Sequence, residues 1–351
     1  MKNKFVKIIS AAVFLLLYSN PGESLPQAEI PRIYAPDFSF QPLPDSSYMQ
    51  GWNINFVSEE LCMYITFVVT NLGPGNNKNG IALIIYHKGE NRIIMDERSE
   101  NQLLAQPGKS SITIGNKHKM IIDKDKKIIY AYITKNGVTA EINFKMNHPA
   151  SLSGGKIQLS AKNKFIQTDV PSSSSPATAV LTINENTYSY KGTGFSEHIL
   201  LNEFPQKYTE HLMVARSYHS LKSITIGGFK SKNKDFSDVY SFTQHGIEHA
   251  PSSGSFQKML DTIKQNEPAL PGLLIPKIIQ LVDLKNGCSA VILSREFSGG
   301  IDVFGQVSSL LRWLLSVFFK RPFIANYKGN IRFGCNGKFS EFDAVISHYT
   351  F

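Results

Sequence analysis

Residues 128–144 read IIYAYITKNGVTAEINF, and this stretch decides the fold class. From Val138 to Phe144, apolar Val138, Ala140, Ile142 and Phe144 alternate with Thr139, Glu141 and Asn143. A period of two places one set on a buried face and the other towards solvent, as in a half-covered strand. Ile128 to Thr134 is a second strand-like run, and Asn136-Gly137 lies between the two. Asn-Gly accepts the positive φ angles of a tight primed turn, so strand, Asn-Gly, strand reads as a β-hairpin.

The same rhythm extends in both directions. Trp52–Val57, Leu61–Thr70 and Gly80–His87 form an earlier meander, broken by LGPGNNKNG at 72–80. Further strand-like runs fall at 109–114, 156–161, 178–184, 186–195, 211–217, 222–229, 237–243, 279–284, 288–295, 323–333 and 338–350. Short strands at this spacing, separated by Gly, Asn and Pro, predict an all-β chain of antiparallel sandwiches or barrels. No βαβ alternation is visible, which argues against a nucleotide-binding α/β fold.

Two stretches depart from the rhythm. Phe256, Met259, Leu260 and Ile263 recur at helical spacing and predict a short helix. Gln306–Lys320 (QVSSLLRWLLSVFFK) is strongly apolar but too short to span a bilayer as a helix. It reads as an element packed on a barrel, or as a flap over 306–321 that covers a ligand mouth or makes peripheral contact with a membrane. Pro171–Pro176 (PSSSSP) reads as a surface loop, because strands resume directly after it. A domain boundary is suggested near the polar stretch KSKNKD at 230–235 or near APSSGS at 250–255, and the first divides the chain into an N-terminal domain, 25–232, and a C-terminal domain, 233–351. SITIG occurs at 111–115 and again at 223–227, a hint of internal repetition.

Residues 1–24 have the form of a secretory signal: Lys2, Lys4 and Lys7, an apolar run from Ile8 to Tyr18, then small and turn-forming residues. Cleavage is expected between about residues 20 and 28, with export to a periplasm or to the outside of the cell. The net charge of +9 is spread through loops such as Lys117–Lys127 rather than interleaved with aromatics. That pattern reads as a solvated surface, and nucleic acid is not expected as a partner. Among three cysteines, Cys62 sits in an apolar strand and reads as a buried thiol. Cys288 and Cys335 could join in an exported protein, although spacing alone leaves the bridge open.

Motifs for chemistry are sparse. His245-Gly-Ile-Glu248-His249 has H-x-x-E-H spacing, but zinc ligation needs both imidazoles on one helical face, and Gly246 and Pro251 oppose that helix. Glycines at 73–75 lack a following Gly-Lys-Ser/Thr and read as a turn. G-x-S-x-G is absent. No metal and no cofactor is expected. What remains is GTGFSEH at 192–198, where two glycines suit close packing and a carboxylate stands beside a histidine. Glu197 would fix the tautomer of His198, leaving the other ring nitrogen to face a cavity and exchange a proton. The other reading is a satisfied pair that holds a strand corner.

TYSYKGTGFSEHILLNEFP, 187–205, resembles the Gly-x-Gly-Tyr-x-Asp-His-Asn-Trp-Gly signature of the lipocalin-like superfamily that includes carotenoid hydratases, fungal-type Diels–Alder cyclases and survival-factor proteins. GWNINFVSEELCMYITFVVTNLGPG, 51–75, is similar to that family's opening block. The resemblance covers about 35–230, with the rest consistent with a second barrel. It implies two packed lipocalin-like (calycin) antiparallel β-barrels or sandwiches with one or two short helices. Between or within them a large lipophilic small molecule would bind. Carried over by position, Gly192, Gly194, Phe195, Glu197 and His198 stand for Gly, Gly, Tyr, Asp and His. Phe195 has no hydroxyl, and Leu200 replaces the signature tryptophan. The expected ligand-binding set is Trp52, Phe195, His198, Leu200 and Arg216, with His198 and Glu197 as the catalytic candidates. Because a lone imidazole beside a carboxylate is a poor acid for an unactivated alkene, the leading expectation is a non-catalytic binder of a lipid or other lipophile. The alternative is a hydratase, isomerase or cyclase acting on an isoprenoid- or polyketide-like substrate.

Overall fold

The computed structural model describes residues 36–71, 76–160, 163–218, 221–232, 239–306 and 322–350. The expected signal at 1–24 and the apolar stretch beyond Gln306 lie outside them.

Two antiparallel sheets hold most of the described residues. The first holds β1 (Met49–Val57), β2 (Leu61–Thr70), β3 (Lys78–His87), β4 (Glu90–Arg98), β5 (Leu103–Ala105), β6 (Ser111–Ile114), β7 (His118–Asp123), β8 (Ile128–Lys135), β9 (Val138–Lys145), β10 (Ala150–Ser160), β11 (Lys164–Ile183) and β12 (Asn186–Leu201). Its order is β4-β3-β2-β1-β12-β11-β9-β8-β7-β6-β5, with β10 on β11. After α1 (Pro205–Tyr208) come β13 (Thr209–Ser217), β14 (Ser223–Ser231), β15 (Val239–His245), β16 (Ser253–Phe256), β17 (Lys258–Asn266), β18 (Leu274–Asp283), β19 (Cys288–Asp302), β20 (Phe323–Cys335) and β21 (Lys338–Thr350). These pair as β16-β15-β14-β13-β21-β20-β19-β18-β17. The first sheet curls into a nearly closed barrel and the second into a half-barrel, which makes the protein an all-β, lipocalin-like pair.

The Asn136-Gly137 hairpin is present, with φ of 52° and 74° at the two turn residues and Thr134 opposite Thr139. Elsewhere the sequence reading is corrected. Residues 256–263 are not helical: they lie on β16 and β17, and β17 is an edge strand with register shifts against β18. Bulges displace the alternation by one residue at a time, so an irregular strand can imitate helical spacing. PSSSSP is not a surface loop. Ser172 to Ser175 are buried within β11, where two register shifts against β12 absorb the extra residues. Small hydroxylated side chains fit there because sheet packs on sheet: Ser173 Oγ lies 2.9 Å from Ser223 Oγ of the second sheet.

The chain passes from the first sheet to the second between Leu201 and Thr209, so β13 and β14 precede the 232/233 boundary read from the sequence yet pair in the second sheet. Partner strands decide sheet membership, and β13 pairs with β21, more than a hundred residues later. The SITIG copies fall on β6 and β14, in different sheets.

Trp52, Ile54, Phe56, Phe67, Ile129, Ile142 and many other apolar side chains fill the first barrel. Its open edge is closed by side chains rather than by a ladder. Asp96 of β4 accepts from His118 of β7 at 2.9 Å, from Lys135 of β8 at 2.8 Å and from its neighbour Arg98 at 2.7 Å. A second core fills one end of the half-barrel around Met213, Ile226, Phe242 and Phe333. Cys288 and Cys335 are cross-strand partners and form a disulfide, while Cys62 is a buried free thiol.

Candidate functional site

Successive residues on a strand project to opposite faces, and this divides GTGFSEH in two. On β12, Ser196, His198 and Leu200 turn into the first barrel, whereas Phe195, Glu197 and Ile199 turn outward to the seam where the sheets pack. The glycines make room for aromatics. A Cβ on Gly194 would stand 2.5 Å from the Phe144 ring, and one on Gly192 would stand 2.8 Å from the Phe56 ring.

Inside the barrel, His198 is fully buried beside Trp52, ring centroids 5.2 Å apart. Gln50 Nε2 donates to His198 Nε2 at 2.6 Å, which places the ring proton on Nδ1. That atom faces Asp169 Oδ2 at 3.7 Å, short of a hydrogen bond. The acid nearest His198 is therefore Asp169, the cross-strand partner of His198 on β11, and Glu197 does not orient the ring. Asp169 also accepts from Ser151 Oγ at 2.6 Å and from Gln167 Nε2 at 2.6 Å.

A strap from Asp37 to Gln41 lies over this cluster. Trp52 Nε1 donates to Phe38 O at 2.9 Å, Gln50 Nε2 to Ser39 O at 2.7 Å, and Gln41 N to Gln50 Oε1 at 2.9 Å. Phe38 and Phe40 are buried with the barrel core. The lumen beside His198 is filled by protein. Two hollows lie elsewhere, one of about 160 Å³ between Ile247–Ala250 and Gly334–Ser340, and an open one at the β8–β9 turn. His245 to His249 bend as a turn rather than a helix, and His245 stacks on His148.

The seam is organised differently. On β12, apolar Phe195, acidic Glu197, and apolar Ile199 and Leu201 face the second sheet in that order. Glu197 and Arg216 of β13, each 1% exposed, form an ion pair through Oε1 and Nε. Arg216 Nη1 donates to Ser347 Oγ at 2.8 Å, and Ser347 donates to Asn326 Oδ1 at 2.6 Å. Burial opposes the Arg216 charge, but the Glu197 carboxylate outweighs it and raises the guanidinium pKa. Phe195 lies against the same guanidinium, 5.4 Å from ring centroid to Cζ. Glu197 Oε2, Arg216 Nη2 and Asn326 Nδ2 are buried with no partner in hydrogen-bond geometry, and the Tyr349 hydroxyl also acts on the guanidinium. Apolar clusters flank this group, one around Tyr64, Phe195, Ile301 and Val345, the other around Ile166, Leu201, Tyr208 and Phe229.

The residues named from sequence thus separate into two places. Trp52, His198 and Leu200 are in the lumen; Phe195, Glu197 and Arg216 meet at the seam. Sequence reasoning missed Asp169, Gln50 and Asn326, because each is polar within an otherwise ordinary strand and acquires its neighbours only through pairing.

No family model matches the chain, and no curated protein matches it. Among solved structures it is similar to CghA with Sch210972, at 8% identity and a TM-score of 0.54, covering 93% of this chain and 97% of that one. CghA in another crystal structure gives 10% identity and a TM-score of 0.53, with the same coverage of both chains. At such identity the likeness establishes the fold, here over both sheets.

Proposed function

We propose that this protein binds a lipophilic small molecule carrying at least one polar group, and that the seam between the sheets is where it binds. The three unpartnered seam atoms carry this reading. A buried polar atom left without a hydrogen bond costs about 1–3 kcal/mol, and Glu197 Oε2, Arg216 Nη2 and Asn326 Nδ2 all belong to one connected group. A ligand carbonyl or hydroxyl would accept from Arg216 and Asn326, and a ligand hydroxyl would donate to Glu197. Its apolar body would rest on the flanking clusters. The apolar stretch 306–321 starts just after Val303, a member of one of those clusters. The apolar composition of 306–321 supports a role for it as a cover over the ligand or as contact with a lipid surface. Similarity to CghA, whose structure was determined with Sch210972, supports small-molecule binding in this architecture.

Native mass spectrometry of the purified protein, before and after exposure to a panel of fatty acids, isoprenoids and polyketides, tests the proposal. One bound lipophile per chain is expected, with affinity reduced about tenfold or more in Asn326→Leu, as loss of one buried hydrogen bond implies. Finding no bound lipophile from any source overturns it.

Chemistry on such a molecule is the second reading, and the approach of Asp169 to His198 supports it. For His198 to reach a substrate, the Asp37–Gln41 strap has to move off the lumen. His198→Ala separates the two readings. Turnover lost with binding intact favours an enzyme; a fall in stability alone favours a structural histidine.

A further inference from the structure

The inner face of the half-barrel holds a second polar cluster, far from GTGFSEH in sequence. Ser294 of β19, His348 of β21 and His211 of β13 form a chain: Ser294 Oγ lies 2.8 Å from His348 Nε2, and His348 Nδ1 lies 2.9 Å from His211 Nε2. The two imidazole planes are only 24° apart with centroids at 5.2 Å. A nitrogen-to-nitrogen contact of 2.9 Å within a centroid separation of 5.2 Å puts both nitrogens between the ring centres. The rings therefore meet edge to edge, with the N–H of one pointing at the lone pair of the other.

Two proton arrangements fit the chain, and the one that activates the serine runs towards His211. In that one, His211 Nε2 accepts from His348 Nδ1–H, which leaves His348 Nε2 free to accept from the Ser294 hydroxyl. This is the alignment in which a histidine removes a proton from serine while a third group fixes its tautomer. Burial lowers the His348 pKa well below its ordinary value and takes His211 to about 4, with Lys264 and Lys230 adding to the effect on His211. Both rings are therefore neutral near pH 7 and able to accept a proton, while burial makes His348 a weaker base than an ordinary imidazole. Lys277, Glu267 and Tyr327 face the cluster from adjoining strands: Tyr327 donates to Glu267, Lys277 Nζ lies 4.1 Å above the Tyr327 ring, and that ring meets His348 edge-on at 5.7 Å.

Local structure points Ser294 at this base. The register between β19 and β20 slips directly after Ser294, which faces Gly329 while Glu296 faces Lys328. Such a bulge re-aims the side chain beside it. Apolar groups border the cluster on both sides, with Ile292 and Ile346 towards one core and Leu270, Ile275 and Phe323 towards the other. Ser294 is 6% exposed, and His211 is half-buried at the outer end of the chain.

We propose that Ser294 is an activated nucleophile, with His348 as its base and His211 as the residue that positions that base, and that it takes an acyl group from a carboxylic ester with an apolar chain. Ser294 Oγ attacks the ester carbonyl while its proton passes to His348 Nε2. The bond from carbonyl carbon to the alkoxy oxygen breaks, and the departing alcohol takes that proton. Water, deprotonated by the same nitrogen, then releases the acid and restores the serine. This site is independent of the seam, so it stands or falls separately from ligand binding there.

A fluorophosphonate probe tests it, because Ser294 would displace fluoride at phosphorus with the same proton transfer to His348. The native full chain is expected to carry one adduct, located on Ser294 by peptide mass spectrometry and absent from Ser294→Ala. His348→Gln should slow labelling by a hundredfold or more. His211→Gln should slow it less and shift its pH profile, an effect that a purely structural role would not produce. Circular dichroism checks folding of each variant. Should a variant unfold, native and urea-unfolded wild-type chain are compared instead, with labelling expected only in the native state. No adduct on native Ser294, an adduct elsewhere, or equal rates in folded wild type and folded His348→Gln each overturn the proposal.

Discussion

Glu197 and His198 are adjacent in the chain, yet they serve opposite faces of one strand: Glu197 pairs with Arg216 across the seam, and His198 faces Asp169 inside the first barrel. Sequence adjacency implied one acid–base pair. Strand geometry makes two unrelated sites, one joining the sheets and one buried in a lumen.

Breaking the seam pair leaves one buried charge uncompensated. Glu197→Ala or Arg216→Ala is expected to lower stability by about 3–5 kcal/mol, whereas the double change Glu197→Met with Arg216→Met should recover most of the loss. Urea denaturation of the three variants measures this. Equal losses in the single and double variants would show that the charges do not act as a pair.

Asp96 predicts acid sensitivity. Burial alone would raise its carboxyl, but hydrogen bonds from Lys135, His118 and Arg98 outweigh burial and hold it at about 2. A depressed carboxyl contributes stability that is complete above the ordinary value near 4 and is lost as pH falls from there towards 2. The contribution is roughly 2 kcal/mol. In Asp96→Asn, melting temperature should be lower at pH 7 and should fall less steeply below pH 4 than in wild type.

Glu97 acts in the opposite direction. Burial raises its carboxyl to about 7 despite the nearby Lys78, and Oε1 has no partner. The folded state holds a proton that the unfolded state releases near 4.5, so this residue weakens folding progressively as pH rises from about 4.5 through 7. Glu97→Gln should raise the melting temperature at pH 8 and change it little at pH 5. Thermal scans at the two pH values decide the point.

Thiol chemistry should follow the fold. Burial pushes the Cys62 thiol up to about 11, so iodoacetamide at pH 8 is expected to spare it until the protein unfolds. Cys288 and Cys335, 47 residues apart, are already bridged. Reducing them should lower stability by at most about 4 kcal/mol in the loop-entropy model. Peptide mapping after alkylation of native, reduced and unfolded samples reads all three sites.

Much of the architecture was legible as local pattern. Alternation in Val138–Phe144 and the Asn136-Gly137 turn specify a hairpin whatever surrounds them, because side-chain direction and turn φ are properties of a few neighbouring residues. The same holds for the antiparallel, all-β class. Spacing failed at Phe256–Ile263 and at Pro171–Pro176, where bulges break the period and burial between sheets makes serines interior residues.

The sequence by itself determined which residues could form strands, which two could turn, and that a carboxylate and an imidazole stand together at 197 and 198. Only the tertiary structure decided that the imidazole meets Asp169 and Gln50, that the carboxylate meets Arg216, and that Ser294, His348 and His211 share one chain of hydrogen bonds. Those contacts join strands 19 to 148 residues apart. Pairing register and sheet packing create them, and neither is encoded in any short window of the chain.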